Sequence, residues 1–172
     1  YGDLVDSLVT QQPEATHTVP PGGYSHESVA HWWLQHMATT QAQFPERMAL
    51  FWHGHLTSDY RKAGQLPLVW LQNQLYRRMG SSSDLRSFLL AVTTDPLMMR
   101  YLDLDRSSAH APNENFSREV MELYTLGVGN YSERDVREAA RALSGLRIAF
   151  YDAQGNVAKP PRYASAQRAA YM

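Results

Sequence analysis

The sequence predicts a mainly all-α fold, an irregular multi-helix domain with a short β-hairpin near the C-terminus. Three observations carry that prediction. Apolar residues recur at i, i+3, i+4 and i+7 in one segment after another, the mark of helices with one buried face. These segments are bracketed by residues that start or stop helices, Ser, Asp or Pro before and Gly after. Only near the end, in "RIAFYDAQGNVAKPPRY", does the pattern become strand-like, around a turn containing Gly155 and Asn156.

A chain of 172 residues can bury roughly two thirds of the surface its unfolded form exposes, so it reads as a single helical domain, 1–172. Residues 10–24 form a lead-in loop, because Pro20 and Pro21 cannot donate backbone hydrogen bonds and Gly22 and Gly23 loosen the chain. Residues 25–146 form the helical core, and 147–172 the hairpin and tail.

The elements follow in order. Ser25 suits the N-cap of a helix whose stripe is Val29, Trp32, Trp33 and His36. Pro45 suits the first turn of a second, where Met48, Phe51, Trp52 and His55 repeat the spacing and place His55 toward the core. In "PLVWLQNQLYRRMG", Leu68, Leu71, Gln72, Leu75 and Met79 trace one face, Gly80 supplies the stop, and Arg77 and Arg78 suit the negative end of the helix dipole. The cluster "SSSD" caps a fourth helix with the stripe Leu85, Phe88, Leu89 and Val92, and Asp95–Pro96 starts a short fifth that ends near Leu102. After a polar connection, a sixth helix runs from about Glu114 to Leu126 and is closed by Gly127. Ser132 with Asp135 forms a capping box for a seventh that reaches about Ser144, with Val136, Ala140 and Leu143 turned inward. The final "ASAQRAAYM" reads as one more helical turn.

Composition removes several function classes. A formal net charge of -1 provides no whole-molecule field to gather nucleic acid or an anionic membrane. No apolar run approaches the roughly 20 residues that cross a bilayer, and no basic, then apolar, leader opens the chain. Without cysteine there is no disulfide framework, thiolate metal site or Cys nucleophile. A glycine-rich phosphate loop, an "HExxH" zinc motif and a "GxSxG" elbow are also missing from the sequence.

What remains is a polar centre. In "ALFWHGHLTS", His53 and His55 stand one residue apart in an apolar segment, where an imidazole costs free energy unless it hydrogen-bonds or binds an ion. Residues i and i+2 lie about 200° apart on a helix, so the two rings converge only if Gly54 ends it. The plain alternative has His55 bonded to a backbone carbonyl and His53 at the solvent border. In "NENFSREVMELYTLGVG", Asn115, Glu119, Glu122 and Leu126 share one face beside an apolar stripe of Phe116, Val120 and Leu123. Carboxylates one turn apart can ligate a cation or act as acid and base, and with neutral imidazoles they suit a divalent metal ion. Equally, Arg118 lies four residues from both Glu114 and Glu122, the spacing of an ordinary intrahelical ion pair. Asp103 and Asp105, with Asn113 and Asn115, are oxygen donors compatible with calcium but lack EF-hand spacing. Trp32, Trp33, Trp52 and Trp70 fall at helical spacing and read as core or interface anchors.

Together, "ERMALFWHGHL" and "PNENFSREVMELYTLGVGNYSERDVREAARALSG" resemble the bacterial family known as domain of unknown function 1800, over about Phe44 to Gly145. In that family the first motif reads Trp, His, Asn, His and an aromatic, and the second ends Glu, Leu, His, Thr, Leu, Gly. This chain departs at Gly54, Leu56 and Tyr124, the last placing a phenol where the family has a third imidazole. The resemblance implies a helical protein, an exported, extracytoplasmic (periplasmic or secreted) setting, and a longer family architecture of which this chain is the middle. It transfers no activity. It does mark His53, His55, Asn113, Glu114, Asn115, Arg118, Glu119, Glu122 and Tyr124 as a candidate polar network.

Two functional readings follow. One is a binding or accessory module with protein partners in a larger extracytoplasmic assembly, its polar network fixing helix packing. The other is a metal-dependent hydrolase in which His53 and His55, with Glu119 or Glu122, hold a divalent cation that activates water.

Overall fold

The computed structural model describes residues 7, 11–12, 22–81, 84–151, 157–158 and 169–171. The chain is mainly helical, and it divides into two compact units, Tyr1–Thr57 with Gln65–Val92, and Ser58–Gly64 with Thr93–Met172.

In the first unit α1, His26–Thr39, starts where the Ser25 side chain accepts from the Ser28 amide. The Gln43 side chain donates to the carbonyls of Met37 and Thr40 and so braces the corner into α2, Gln43–His55. The buried face of α2 is Pro45, Glu46 and Ala49, continued by the half-buried Trp52 and His53. This corrects the stripe Met48, Phe51, Trp52 and His55: the inward face is turned by about one residue, leaving Phe51 and His55 exposed. The reason is that Glu46 occupies a core position, which hydropathy alone assigns to solvent. Helix α2 also continues through Gly54 to His55, so the condition for the two rings to converge, a helix end at Gly54, is not met.

Helix α3, Tyr60–Ala63, belongs to the other unit, and α4, Leu66–Met79, returns the chain to this one. It is buried on nearly all sides from Gln72 to Arg77, so the single face predicted for it is too narrow. Gly80 ends it in a right-handed conformation (φ -67°), and its lack of a side chain serves close approach: the Trp52 ring packs where a Cβ would stand. Trp52 Nε1 donates to the Gly80 carbonyl at 2.8 Å. Helix α5, Leu85–Thr93, is capped by Asp84, whose carboxylate accepts from the Ser87 amide, and it buries Phe88 and Val92.

The second unit contains α3, Tyr60–Ala63, a single turn between the Asp59 cap and left-handed Gly64 that periodicity is too short to reveal. Helix α6, Pro96–Tyr101, starts as predicted at Asp95, whose side chain accepts from the Met98 amide. A 3-10 turn, Leu104–Arg106, follows inside the stretch read as an irregular connection. Helix α7, Asn115–Glu119, passes without a break into a π-helical segment, Val120–Thr125, and Gly127 (φ 81°) ends the run. Helix α8, Glu133–Ala142, carries the predicted capping box between Ser132 and Asp135 and buries Val136 and Ala140.

Strand β1, Ile148–Tyr151, pairs antiparallel with β2, Val157–Ala158, as the hairpin reading requires. On its other edge it pairs antiparallel with β3, Ala169–Tyr171, where a helical turn had been expected. Extended pairing gives the β1 edge the hydrogen bonds that a two-stranded ribbon leaves open. Gly155 and Asn156, the proposed turn, and Pro20 and Pro21 of the lead-in lie outside the described residues.

Candidate functional site

In the first unit the polar centre is built on a pair that sequence reading did not select. Glu46, in the first turn of α2, and Arg77, in the last turn of α4, are 3% and 1% exposed. The Arg77 guanidinium clasps the carboxylate along one edge: Nε meets Oε1, and Nη2 donates to Oε2 at 3.1 Å. A buried ion pair is worth having only when its remaining lone pairs are also satisfied. Here Trp33 Nε1 donates to Oε2 at 3.2 Å and His36 Nε2 lies 3.3 Å from Oε1. The indole of Trp32 packs under the guanidinium, 5.0 Å from its carbon, and stacks on His36 at 4.9 Å.

His53 enters the same neighbourhood from the far end of α2. Its ring lies 4.8 Å from that of Trp33 and 4.7 Å from that of Tyr76, with Nε2 3.3 Å from the Asn73 amide nitrogen. Burial, reinforced by the Arg77 charge, holds its pKa near 4 instead of 6.5, so at neutral pH the ring is uncharged. His55 faces elsewhere. Its ring is stacked on Phe51, 5.9 Å between centroids and 13° between planes, on the exposed side of α2. The two imidazoles follow the ordinary helical divergence of i and i+2, the consequence of a helix that does not stop at Gly54.

In the second unit, the motif residues form short local pairs. Asn113 accepts from the Asn115 amide at 2.9 Å, closing the turn that starts α7, while its own amide donates to Ser107 Oγ at 3.0 Å. Arg118 pairs with Glu114 at 3.1 Å, as the i, i+4 spacing predicts, and binds Glu133 through both terminal nitrogens at 2.7 and 2.9 Å. Those bonds raise the guanidinium pKa and depress that of Glu133. Glu122 is not shared with Arg118 in this way; it accepts from the Tyr131 hydroxyl at 2.6 Å, which raises the phenol pKa.

The π-helical segment explains why the predicted faces drift after Glu119. A wider turn changes the angle per residue, so Leu123 and Leu126 become exposed although the 3.6-residue count puts Leu123 on the buried stripe with Phe116. Thr125 Oγ1 returns to the Val120 carbonyl at 2.6 Å, and the Leu126 amide bonds the Met121 carbonyl at 2.9 Å, both five residues back. Tyr124, half-buried on this segment, donates its hydroxyl toward Met98 Sδ at 3.9 Å. Its phenol pKa is raised, first by burial and then by the Glu119 carboxylate and Tyr101.

Thus His53 and His55 belong to the first unit, and Asn113, Glu114, Asn115, Arg118, Glu119, Glu122 and Tyr124 to the second. Among the described residues, no group of three or more His, Asp or Glu side chains is placed to hold a metal ion. Asp103 and Asp105 face cations of the chain itself: Lys62 at 3.1 Å and Arg106 at 3.7 Å for Asp103, Arg100 at 3.6 Å for Asp105. The residues missed by sequence reading were Glu46, Asn73, Arg77, Tyr131 and Glu133. For Glu46 and Arg77 a signal existed: Glu46 stands three residues before the buried Ala49 and Arg77 seven after the buried Trp70, spacings that place each on a buried side of its helix.

A helical protein with a two-pronged buried ion pair and a π-helical turn is the class these features define. The family follows from comparison: the model of the protein of unknown function DUF1800 matches residues 6–170, nearly the whole chain, and the chain belongs to that family. The match extends well beyond the Phe44–Gly145 span carried by the motifs. No curated protein and no solved structure matches the chain. No helix among the described residues is long and apolar enough to cross a membrane.

Proposed function

We propose that the chain is a binding or accessory module of a larger extracytoplasmic assembly, its polar residues serving to fix helix packing and its surface serving a protein partner. The observation that carries this reading is the closure of the Glu46 site. Arg77, Trp33 and His36 occupy the carboxylate's acceptor positions, and His53, kept neutral by burial, is turned to Asn73. Buried polar groups connected in this way specify one packing of the helices that bear them. The extracytoplasmic setting rests on the family resemblance.

The test is elemental analysis of the purified, dialysed chain beside a His53→Ala, His55→Ala double variant, each followed by circular dichroism. A packing role predicts no stoichiometric transition metal in either protein and reduced helix stability in the variant. Stoichiometric metal in the wild type, lost in the variant, would instead establish the hydrolase-type centre.

A further inference from the structure

The outer face of α2 carries more apolar surface than its place on the molecule requires. Arg47, Leu50, Phe51, Gly54 and His55 share that face, all within about 70° of its midline on a 3.6-residue period. All five are exposed, Leu50 and Phe51 by 52% and 54%, and no carboxylate lies among them. Gly54 stands one turn beyond the two apolar side chains, and the fold itself gives no reason for it. Its backbone is helical, a Cβ built there meets nothing within 4 Å, and a helix interior disfavours glycine more than any residue except proline. What glycine provides at such a place is a notch in the helix surface, where another chain can come close.

The stripe therefore holds a ridge, Leu50 with Phe51, and a notch, Gly54, one helical turn apart. A two-fold axis uses that arrangement directly. Two copies of α2 laid antiparallel, with the axis between ridge and notch, seat each ridge over the other copy's notch, so one patch serves both sides of the contact. Arg47 adds charge complementarity. It lies one turn before the ridge, and in the antiparallel pair it falls opposite the residues just past Gly54 in the second copy, at the C-terminal end of a helix that finishes at His55. The last carbonyls of a helix carry about half a negative elementary charge, which a guanidinium matches. A parallel pairing sets Arg47 beside Arg47 and ridge against ridge instead.

We propose that the outer face of α2 is a self-association surface whose partner is a second copy of this chain, packed antiparallel with Leu50 and Phe51 over Gly54. A second copy supplies ridge, notch and helix end from the same stripe. One helix pair buries less than the roughly 1,200 Å² of standard interfaces, so the dimer is weak and forms in the upper micromolar range. The inference is independent of the module and metal readings, because self-association requires neither another protein nor an ion.

The experiment is sedimentation velocity of the whole chain from about 10 to about 500 µM, with NMR of the isotope-labelled chain at both ends of that range. Expected are a concentration-dependent passage from monomer to dimer and amide shifts centred on Leu50, Phe51 and Gly54. The dissociation constant should rise about tenfold or more in Gly54→Leu, which fills the notch, and in Arg47→Glu, which sets a negative charge against the helix end. Both variants should keep or exceed the wild-type urea midpoint, because both positions are exposed and the space beside Gly54 is open. A chain that stays monomeric throughout overturns the inference, as does association unchanged in either variant or shifts centred elsewhere, for instance on the exposed Leu123 and Leu126. A lowered midpoint in Gly54→Leu overturns it too, since the fold itself would then account for the glycine.

Discussion

The ring of His53 makes stability depend on pH in a window that can be worked out beforehand. Burial and the Arg77 charge bring its pKa from 6.5 to about 4 in the folded chain. In the unfolded chain it binds a proton as pH falls through about 6.5, while the folded chain resists until about 4. Between those values the unfolded state holds more protons, so stability falls as the solution is acidified. The contribution is complete above pH 6.5 and is spent by about pH 4, with an upper limit of about 3 kcal/mol. Replacing the residue by Gln keeps a polar group against Asn73 and removes the titration.

Urea unfolding at pH ~7.5 and pH ~4.5 isolates the effect as the difference between wild type and His53→Gln. Glu46, His36 and every surface carboxylate are present in both proteins and cancel. Over that interval the wild type should lose roughly 2 to 3 kcal/mol more than the variant, or about 1 M in urea midpoint at a slope near 2 kcal/mol per molar. Equal losses in the two proteins would refute the reasoning, because they would mean that the His53 ring takes up its proton as readily folded as unfolded.

Three further outcomes are expected. Removing one member of the buried pair, by Glu46→Gln or Arg77→Met, should cost about 3 to 5 kcal/mol in chemical denaturation, and the double replacement Glu46→Leu, Arg77→Met much less than the two losses combined. Gly80→Ala should destabilise by about 1 to 3 kcal/mol, measured the same way, because the new methyl meets the Trp52 ring; a neutral result would show that this ring is free to shift. Ser132→Ala should cost about 0.5 to 2 kcal/mol and lower the thermal midpoint, since it removes one half of the capping box on α8.

The sequence made the helix starts legible because capping is local chemistry. Ser25, Asp95 and Ser132 each accept from an amide three residues on, and three residues of sequence are enough to recognise that. Which side of a helix faces inward was less legible, because it depends on partners distant in sequence. Glu46 and Arg77 are separated by 31 positions, and only their pairing makes either one fit for the interior. Reading Arg77 as a dipole-complementing residue, like the exposed Arg78 beside it, followed from its place in the last turn alone.

The Glu119–Leu126 stretch shows a different limit. A 3.6-residue count assumes that each amide bonds four residues back, and the count fails where the ladder shifts to five. The ion pair between Glu114 and Arg118 lies before that shift, and its predicted spacing is found. Beyond it, Glu122 is taken up by Tyr131, and Tyr124 reaches toward a thioether instead of a charged group. If the wide turn depends on the Thr125 hydroxyl held to the Val120 carbonyl, Thr125→Val should narrow it toward α-helical geometry while preserving side-chain shape. The hydrogen-bond ladder can be followed directly, by NMR couplings across the Leu126 amide: retention of its bond to the Met121 carbonyl in the variant would mean that backbone packing, not the hydroxyl, sets the turn.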